Sequence, residues 1–418
     1  MKQVALIGLL LFSFTGINLL TIGKGAFSPF HMMMTAMIAW FLLFSRKQSF
    51  YTFMSLNLLA IYILLVNVLY HGSFRFTSLL YSMIFIIELT IFYNLIRRCS
   101  PATMAKGFRM IIYLYFANII IGTLLIKAGL RWPFMEQWIG IARTTAGTRP
   151  MGFSSEPSYA AFILSIAYLS YNHIIGHRLN RSTLRLSLVY LLCIGLMGSA
   201  YGFILLLLTL LDWVRHFFNR LHSSLKMVSV FVVLAFVAVV VRLAPSIESE
   251  ATDRIYTVSS ILGDPFSDTE KKLTKLKEKD PSAFARIGPT YTLFFSEESA
   301  DLNVWLGAGA GAAGVQIPIL MQGVLIDEGD TEFDTGIVPA FIYDYGLVGF
   351  VLLLLFVVNC ANNLPFPFWL TFIFLLPNAN INTQIFWFLI GSFLMVSIIK
   401  LSQKHQRRYS SNYQIVQL

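Results

Sequence analysis

Long apolar runs alternate with short polar segments along nearly the whole chain of 418 residues. A window of about 20 apolar residues is long enough to cross the hydrocarbon core of a bilayer as a helix. By that criterion the pattern predicts about twelve transmembrane helices. Their bounds are 3–22, 27–45, 50–70, 77–96, 109–129, 157–175, 186–198, 202–214, 226–243, 336–358, 365–379 and 383–400. The predicted fold class is therefore an all-α polytopic membrane protein.

The windows 186–198 and 202–214 are short, so they fit either two full crossings or a helical hairpin that does not fully cross. The first window follows Met1-Lys2 directly and has no small-residue cleavage site, which indicates a retained span rather than a signal peptide.

Composition agrees with the pattern, because 56% of the residues are hydrophobic and only 12% are charged. Soluble domains contain roughly 25% charged residues. The formal net charge of +10 does not favour a nucleic-acid partner, since basic residues in membrane proteins concentrate in cytoplasmic loops. Lys and Arg cluster in alternate connections, and their distribution predicts that both termini are cytoplasmic.

One connection, 244–335, is far longer than the others and holds 16 of the 21 acidic residues. Long loops cross the membrane regardless of their charge, so we predict a large periplasmic loop domain here. The predicted organisation is helices 1–9 in 1–243 with an external loop at 130–156, then this domain, then helices 10–12 and a cytoplasmic tail in 336–418.

Two helices are predicted inside the long connection. Residues 268–280 alternate acidic and basic side chains with few apolar positions, which indicates a solvated helix with i,i+4 pairs. Residues 282–295 are more apolar, so we expect a helix that packs against the membrane part and bends at Gly288-Pro289.

Candidate chemistry concentrates just before the sixth predicted helix, in the segment Arg149-Pro150-Met151-Gly152-Phe153-Ser154-Ser155-Glu156-Pro157-Ser158. Arg143 and Arg149 lie on the predicted outer side, where basic residues are disfavoured. A guanidinium can hold two phosphate oxygens, so both are candidates for gripping a diphosphate; binding lipid phosphates or capping carbonyls is the alternative. Glu156 is a candidate substrate ligand, or else a helix cap or an ion-pair partner of Arg149.

The pattern R-x-x-G-F-x-x-E-P-S resembles the segment that opens a membrane helix in bacterial O-antigen polymerases of the Wzy type; the related O-antigen ligases share a looser version. Further elements follow in the family's order. They are Arg286, the run Leu306-Gly307-Ala308-Gly309-Ala310-Gly311-Ala312-Ala313-Gly314, and Asp344-Tyr345-Gly346-Leu347-Val348-Gly349. Family members more often carry glutamate at the Asp344 position. The glycine-rich run lacks the Gly-Lys-Ser/Thr ending of a P-loop, so a tight turn or a close backbone approach is preferred there.

The resemblance implies that Arg149 and Arg286 are catalytic, and we add Arg143, Glu156 and Asp344 as substrate-binding candidates. The implied activity transfers a growing glycan from undecaprenyl diphosphate to a lipid-linked repeat outside the bacterial inner membrane. The expected partners are this lipid-linked oligosaccharide, the bilayer and a polysaccharide chain-length regulator, with no nucleic acid and no cofactor.

Other functions stay open: an O-antigen ligase, a lipid-linked glycan flippase, or a structural or regulatory subunit. The ligases use a histidine in the large loop, and 244–335 contains none, which favours a polymerase. Glu88, midway along the fourth window, is typical of proton-coupled transport, but no inverted repeat supports a transporter. No metal site is expected: the three cysteines lack paired spacing, and the acidic run 327–334 is better explained as a solvated loop than as a Ca²⁺ site.

Overall fold

The computed structural model describes residues 2–15, 20–22, 25–27, 54–70, 76–97, 99–129, 141–144, 147–154, 156–178, 180–220, 257–261, 263, 268–279, 284, 287–291, 293, 304–314, 317, 336–362, 364–377, 379, 381 and 383–415. These residues are mostly helical. The helices are α1 (Lys2–Ser13), α2 (Met54–Leu69), α3 (Phe76–Ile96), α4 (Pro101–Lys127), α5 (Pro157–Ile175), α6 (Arg181–Met197), α7 (Ala200–Arg220), α8 (Thr269–Lys279), α9 (Ile337–Cys360), α10 (Phe366–Leu375) and α11 (Gln384–Ile415).

Four of the described helices are long and apolar enough to cross a membrane, and they support a membrane protein. The apolar segments are Ser78–Ile96 in α3, Pro101–Lys127 in α4, Ile337–Cys360 in α9 and Gln384–Gln403 in α11. Helices α2 and α10 are apolar but shorter. The predicted windows 27–45 and 226–243 lie outside the described residues, and a count of twelve spans remains a prediction.

Two short antiparallel hairpins depart from the all-α prediction. They pair β1 (Leu20–Ile22) with β2 (Gly25–Phe27), and β3 (Ile141–Thr144) with β4 (Gly147–Pro150). Strand β1 falls within the window that predicted a single helix over 3–22, whereas β2 follows that window, and α1 ends at Ser13. The apolar run extends past this point, but Gly16 and Asn18 are poor helix formers, so hydropathy alone overestimated the helix.

Polar capping residues start some helices before the apolar windows. Helix α4 begins at Pro101 instead of at 109, because the Ser100 hydroxyl accepts the Thr103 N–H at 3.3 Å and proline suits the first turn. Helix α6 begins at Arg181 instead of at 186, since Asn180 Oδ1 accepts the Thr183 N–H at 2.8 Å. Both helices therefore extend beyond the windows that hydropathy defines.

Helix α5 is the central element of the bundle. Most of its 19 residues are buried, and it packs against α4, α6, α7, α10 and α11. Hydroxyl pairs join it to the antiparallel α6, with 2.8 Å between Ser165 and Tyr190 and 2.7 Å between Tyr168 and Ser187. This register places Gly198, at the end of α6, at the level of Pro157, at the start of α5.

Helix α8 confirms the helix predicted within 268–280, but one of its faces is not solvated. Lys271 and Asp268 form an exposed ion pair at 3.1 Å on one side. Leu273 and Leu276 are buried on the other side, in a hydrophobic cluster with Tyr343 of α9. An apolar i,i+3 pair thus gives this highly charged helix one buried face, in the same cluster as residues of α9.

The described part of the segment 282–295 packs as predicted. Phe284 and Leu293 are buried in the same cluster, together with Ala340 and Ile342 of α9. Parts of the long connection thus lie on the first turns of a membrane-type helix.

Candidate functional site

The segment before α5 begins with the β3–β4 hairpin, which carries both predicted phosphate-binding arginines. Arg149 pairs with Ala142, and Arg143 pairs with Thr148. The two arginines therefore occupy neighbouring pairs of the ladder rather than the same pair.

A tight turn at Gly152 attaches the motif to the middle of α4. Gly152 has a φ of +62°, and a Cβ there would lie 2.6 Å from Cδ1 of Tyr115, so the site requires glycine for its conformation and for space. The Tyr115 and Ser154 hydroxyls are 3.0 Å apart, and the Tyr115 hydroxyl also donates to the Ser13 carbonyl. The Phe153 ring packs edge-on against Tyr115 at 5.6 Å. The Gly-Phe-Ser part of the motif therefore has a structural role.

The start of α5 is recessed, which means that it lies beside the middle of α4 and well short of the C-terminal end of α4. Tyr115, which holds the turn, precedes the end of α4 at Lys127 by twelve residues, or about 18 Å at 1.5 Å per residue. Gly198 lies at the level of Pro157, so the turn between α6 and α7 is recessed as well. The sequence allowed either two full crossings or a hairpin for α6 and α7; both alternatives stay predictions, and the described helices contain 17 and 21 residues.

Arg149 links the hairpin to the end of α6. Its Nη1 donates a 3.0 Å hydrogen bond to the carbonyl oxygen of Gly198, the C-cap of α6 with a φ of +56°. The guanidinium satisfies a carbonyl at the end of α6 and interacts favourably with the negative end of the helix dipole. The sequence offered carbonyl capping as the alternative to phosphate binding, and this capping is confirmed for one N–H group of Arg149. The side chain of Arg149 is half-buried, and this bond uses one of the five donors of its guanidinium.

Glu156 occupies the N-cap position of α5, with Pro157 at the first helical position, as the sequence predicted. Its backbone is extended, with φ −143° and ψ 154°, and its side chain makes no capping hydrogen bond. The Ser158 hydroxyl instead donates to its Oε2 at 2.8 Å. A carboxylate and a guanidinium thus both lie at the recessed entrance to α5.

Asp344 anchors the glycine-rich turn. Its Oδ1 accepts the N–H of Ala313 at 2.8 Å, and its Oδ2 accepts the N–H of Gly311 at 3.1 Å. Its backbone carbonyl accepts the Gly309 N–H at 2.9 Å. The structure therefore assigns this predicted substrate ligand a positioning role toward 306–314.

The two glycine motifs meet by close backbone approach, as the sequence predicted for the glycine-rich run. Gly346 interrupts α9 with a φ of +67°, and a side chain there would collide with the Trp305 carbonyl. Gly307 has a φ of +80°, and a Cβ there would lie 2.5 Å from the Asp344 carbonyl oxygen. Each glycine makes room for the backbone of the other segment.

Helix α2 supplies two contacts that the sequence interpretation missed. Asn67 Oδ1 accepts the N–H of Ala310 at 2.7 Å, and the Tyr62 hydroxyl donates to the Tyr345 carbonyl at 3.0 Å. The signal in the sequence was Asn67, an amide side chain inside an apolar window, because a polar side chain in a membrane helix usually has a hydrogen-bonding partner.

Arg286 lies outside the described residues, so its predicted catalytic role keeps the status of a prediction. Its described neighbours Phe284 and Ile287 belong to, or pack against, the cluster on α9 that includes Tyr343. The described residues Phe284 and Ile287 thus share a hydrophobic cluster with Tyr343, the residue that precedes Asp344.

Glu88 is fully buried in α3, and neither carboxyl oxygen has a hydrogen-bond partner among the described residues. An ionised carboxylate is very costly in such a position.

A polar cluster that was not predicted lies at the other end of α5. Asp212 Oδ2 is 2.9 Å from Nε2 of His173 and 3.6 Å from Nε2 of His177. Burial lowers the pKa of His177 to about 3, so its imidazole is neutral at pH 7. The sequence signal was the i,i+4 spacing of the two histidines, repeated by Asp212 and His216.

Comparisons with known proteins assign no family to this chain. No family model matches the sequence, and no curated protein matches it. The function must therefore be inferred from the order of the motifs and from the chemistry of the residues that the fold brings together.

Proposed function

We propose that the protein is an O-antigen polymerase, a membrane glycosyltransferase acting at the periplasmic face of the inner membrane. It would transfer a growing glycan from undecaprenyl diphosphate to a lipid-linked repeat unit. The observation that carries the proposal is the recessed position of Arg149 beside the start of α5, where the family-like motif also places Glu156.

The reaction requires stabilisation of a leaving diphosphate. The acceptor hydroxyl oxygen forms a bond to the anomeric carbon of the donor, the bond from that carbon to the diphosphate oxygen breaks, and its electron pair stays on the diphosphate. A fixed cation stabilises this developing charge, and losing one preorganised donor typically costs about 10²–10³ in rate. Arg149 is the proposed donor, with Arg143 and Arg286 as further candidates.

The recess strengthens this argument. Electrostatic interactions are stronger where water is excluded, because the effective dielectric constant is lower. A lipid-linked diphosphate can reach such a site from the bilayer while its prenyl chain stays in hydrocarbon.

The acceptor hydroxyl also loses a proton. Glu156 is the proposed proton acceptor, since it is the carboxylate at the start of α5 and it already accepts a hydrogen bond from the Ser158 hydroxyl at 2.8 Å. Asp344 is assigned a positioning role, because its carboxylate holds the turn 306–314 against α9.

A flippase is the second candidate, and the buried Glu88 favours it. A carboxyl group without a partner among the described residues could carry a proton through a transport cycle. An O-antigen ligase is the third candidate, and the absence of histidine from 244–335 weighs against it.

Reconstitution separates these functions. Purified protein in liposomes receives lipid-linked repeats on the accessible face, without nucleotide sugar or an ion gradient. A ladder of longer glycans establishes the polymerase, whereas proton-dependent transbilayer movement without a ladder establishes the flippase.

A deletion strain gives an independent test. Long surface chains lost with one repeat retained indicate a polymerase. Loss of all repeats from the lipid anchor indicates a ligase or a flippase.

A further inference from the structure

The cluster at the far end of α5 brings together three side chains that can bind a metal ion. His173 and His177 come from the end of α5 and the residues after it, and Asp212 comes from α7. Their potential ligand atoms all lie within 4.8 Å of one another. We propose that these residues bind one divalent transition-metal ion, with Zn²⁺ as the best match, and that the ion joins α5 to α7.

The distances fit such an ion. Zinc binds imidazole nitrogen at about 2.0–2.1 Å and carboxylate oxygen at about 2.0–2.2 Å, so tetrahedral ligands lie about 3.3–3.5 Å apart. The separations from Asp212 Oδ2 are 2.9 Å to His173 Nε2 and 3.6 Å to His177 Nε2. The third contact joins Nε2 of His177 to Nδ1 of His173 at 3.4 Å, so binding through Nε2 of both histidines requires the two imidazole rings to reorient.

The backbone of His177 is an independent observation. Its φ is +51°, a left-handed conformation that non-glycine residues rarely adopt, and it follows the left-handed Gly176. Both N–H groups bond to the Asn172 carbonyl. Uncommon conformations of this kind concentrate at functional sites. Here the conformation turns the chain back after α5 and keeps the imidazole of His177 beside His173 and Asp212.

The surroundings orient the rings. The His173 ring packs edge-on against Phe368 at 5.2 Å, and the His177 ring packs edge-on against Trp213 at 5.5 Å. His216 stacks on His177 at 4.2 Å. The side chains of His173, His177 and Asp212 are 10%, 3% and 4% exposed. Packed aromatic walls of this kind restrict ligand orientation and limit access of water.

The donor set selects the class of metal. Two imidazoles and one carboxylate suit Zn²⁺ and related transition metals, whereas Ca²⁺ and Mg²⁺ prefer oxygen ligands. Three protein ligands leave a fourth position for water or for His216. The ion would be exchangeable, because structural zinc sites usually have four protein ligands.

Two cations oppose the binding of a dication. Lys400 of α11 and Arg215 of α7 both act electrostatically on the cluster. Among the described residues of the cluster, the carboxylate of Asp212 supplies the negative charge that offsets these two cations. Removing the charge of Lys400 should therefore tighten metal binding, an effect that a purely structural hydrogen-bond network would not produce.

The proposed ion would fix the position of α5 from the end opposite Arg149. The predicted topology places this end on the cytoplasmic side, so the site would respond to metal in the cytoplasm. The inference does not depend on the proposed glycosyl transfer.

The test uses the full chain in detergent, purified through an affinity tag without histidine and stripped with a chelator. Isothermal titration with Zn²⁺ should give one ion per chain, and Co²⁺ should produce the visible absorption of a low-coordinate site. The thermal unfolding midpoint should rise with Zn²⁺ concentration. His177→Gln and Asp212→Asn should each weaken Zn²⁺ binding by more than about 100-fold, which exceeds typical effects of residues behind the ligands.

Three variants keep the test decisive. His177→Cys supplies another zinc ligand and should retain binding, while Lys400→Met should bind more tightly than wild type. His71→Ala removes a histidine from the predicted opposite side and should leave binding unchanged. Failure of stripped wild-type protein to bind Zn²⁺, or equal binding by His177→Gln and wild type, would overturn the proposal and leave a hydrogen-bond network without a metal.

Discussion

Arg149 and Gly198 are 49 residues apart in the sequence, yet a guanidinium nitrogen of Arg149 donates a 3.0 Å hydrogen bond to the carbonyl oxygen of Gly198. This bond joins the motif segment to the turn between α6 and α7. It places a cation at the recessed start of α5. Because the bond also stabilises the fold, any test of Arg149 must separate a loss of stability from a loss of catalysis.

Replacing Arg149 by alanine should reduce chain elongation at least about 100-fold while the protein still inserts normally, because a preorganised cation for the diphosphate is lost. Arg149→Lys should recover part of the rate, since it keeps the charge but not the planar fork. The measurement is the initial rate of ladder formation in liposomes. Arg286→Ala should give a similar loss.

The matched control is Arg178→Ala, an exposed arginine on the predicted cytoplasmic side. Thermal unfolding shows how much of the Arg149→Ala effect comes from the lost bond to Gly198. Long chains of normal length and amount from both Arg149→Ala and Arg286→Ala would show that the catalytic assignment is wrong.

Gly152→Ala should destabilise the protein by about 1–3 kcal/mol, because φ is +62° and a Cβ would lie 2.6 Å from the Tyr115 ring. Gly195→Ala is the control: Gly195 lies inside α6 with no atom within 4 Å of its ideal Cβ, so alanine there should be neutral or stabilising by up to about 1 kcal/mol. Thermal unfolding in detergent compares them. Equal midpoints for the two variants would contradict the described turn.

Asp344→Asn should loosen the glycine-rich turn, because an amide can accept from only one of the two N–H groups that the carboxylate now binds. The expected loss is about 1–3 kcal/mol, with faster amide exchange in 304–314. Asp268→Asn, an exposed residue, should cost less than about 0.5 kcal/mol. If Asp344 binds substrate instead, Asp344→Asn would raise KM without changing amide exchange.

Glu88→Leu should raise stability by about 1–3 kcal/mol, because it replaces a buried carboxyl group that has no partner among the described residues. Glu88→Gln should retain appreciable chain elongation if the protein is a polymerase. A proton-coupled flippase would instead lose export of lipid-linked repeats in Glu88→Gln, since glutamine cannot carry the proton.

The long connection should be periplasmic. Cysteines introduced at Ser267 or Ser296 should react with an impermeant thiol reagent in intact spheroplasts, whereas a cysteine at Asn180 should not. The reverse labelling pattern would overturn the predicted topology and, with it, the argument for a lipid-linked donor.

The sequence alone predicted those features of the structure that depend on residues close together in the chain. Apolar runs predicted most of the described helices. The pair Glu156-Pro157 predicted where α5 starts, and the glycines of 306–314 predicted a close backbone approach. These predictions succeed because hydropathy and capping act over a few residues. The helix over 3–22 was overestimated for the same reason, since hydropathy does not register a change to strand within an apolar run.

The tertiary structure decided which distant groups meet and at what depth. It placed the start of α5 beside Tyr115 instead of at the end of α4, made Asp344 the anchor of the glycine-rich turn, and brought Asp212 to His173 and His177. Each of these contacts joins segments that are far apart in the chain, and packing of the whole bundle determines their register. Since many sequences share the same hydropathy pattern, only the packed structure selects these pairs.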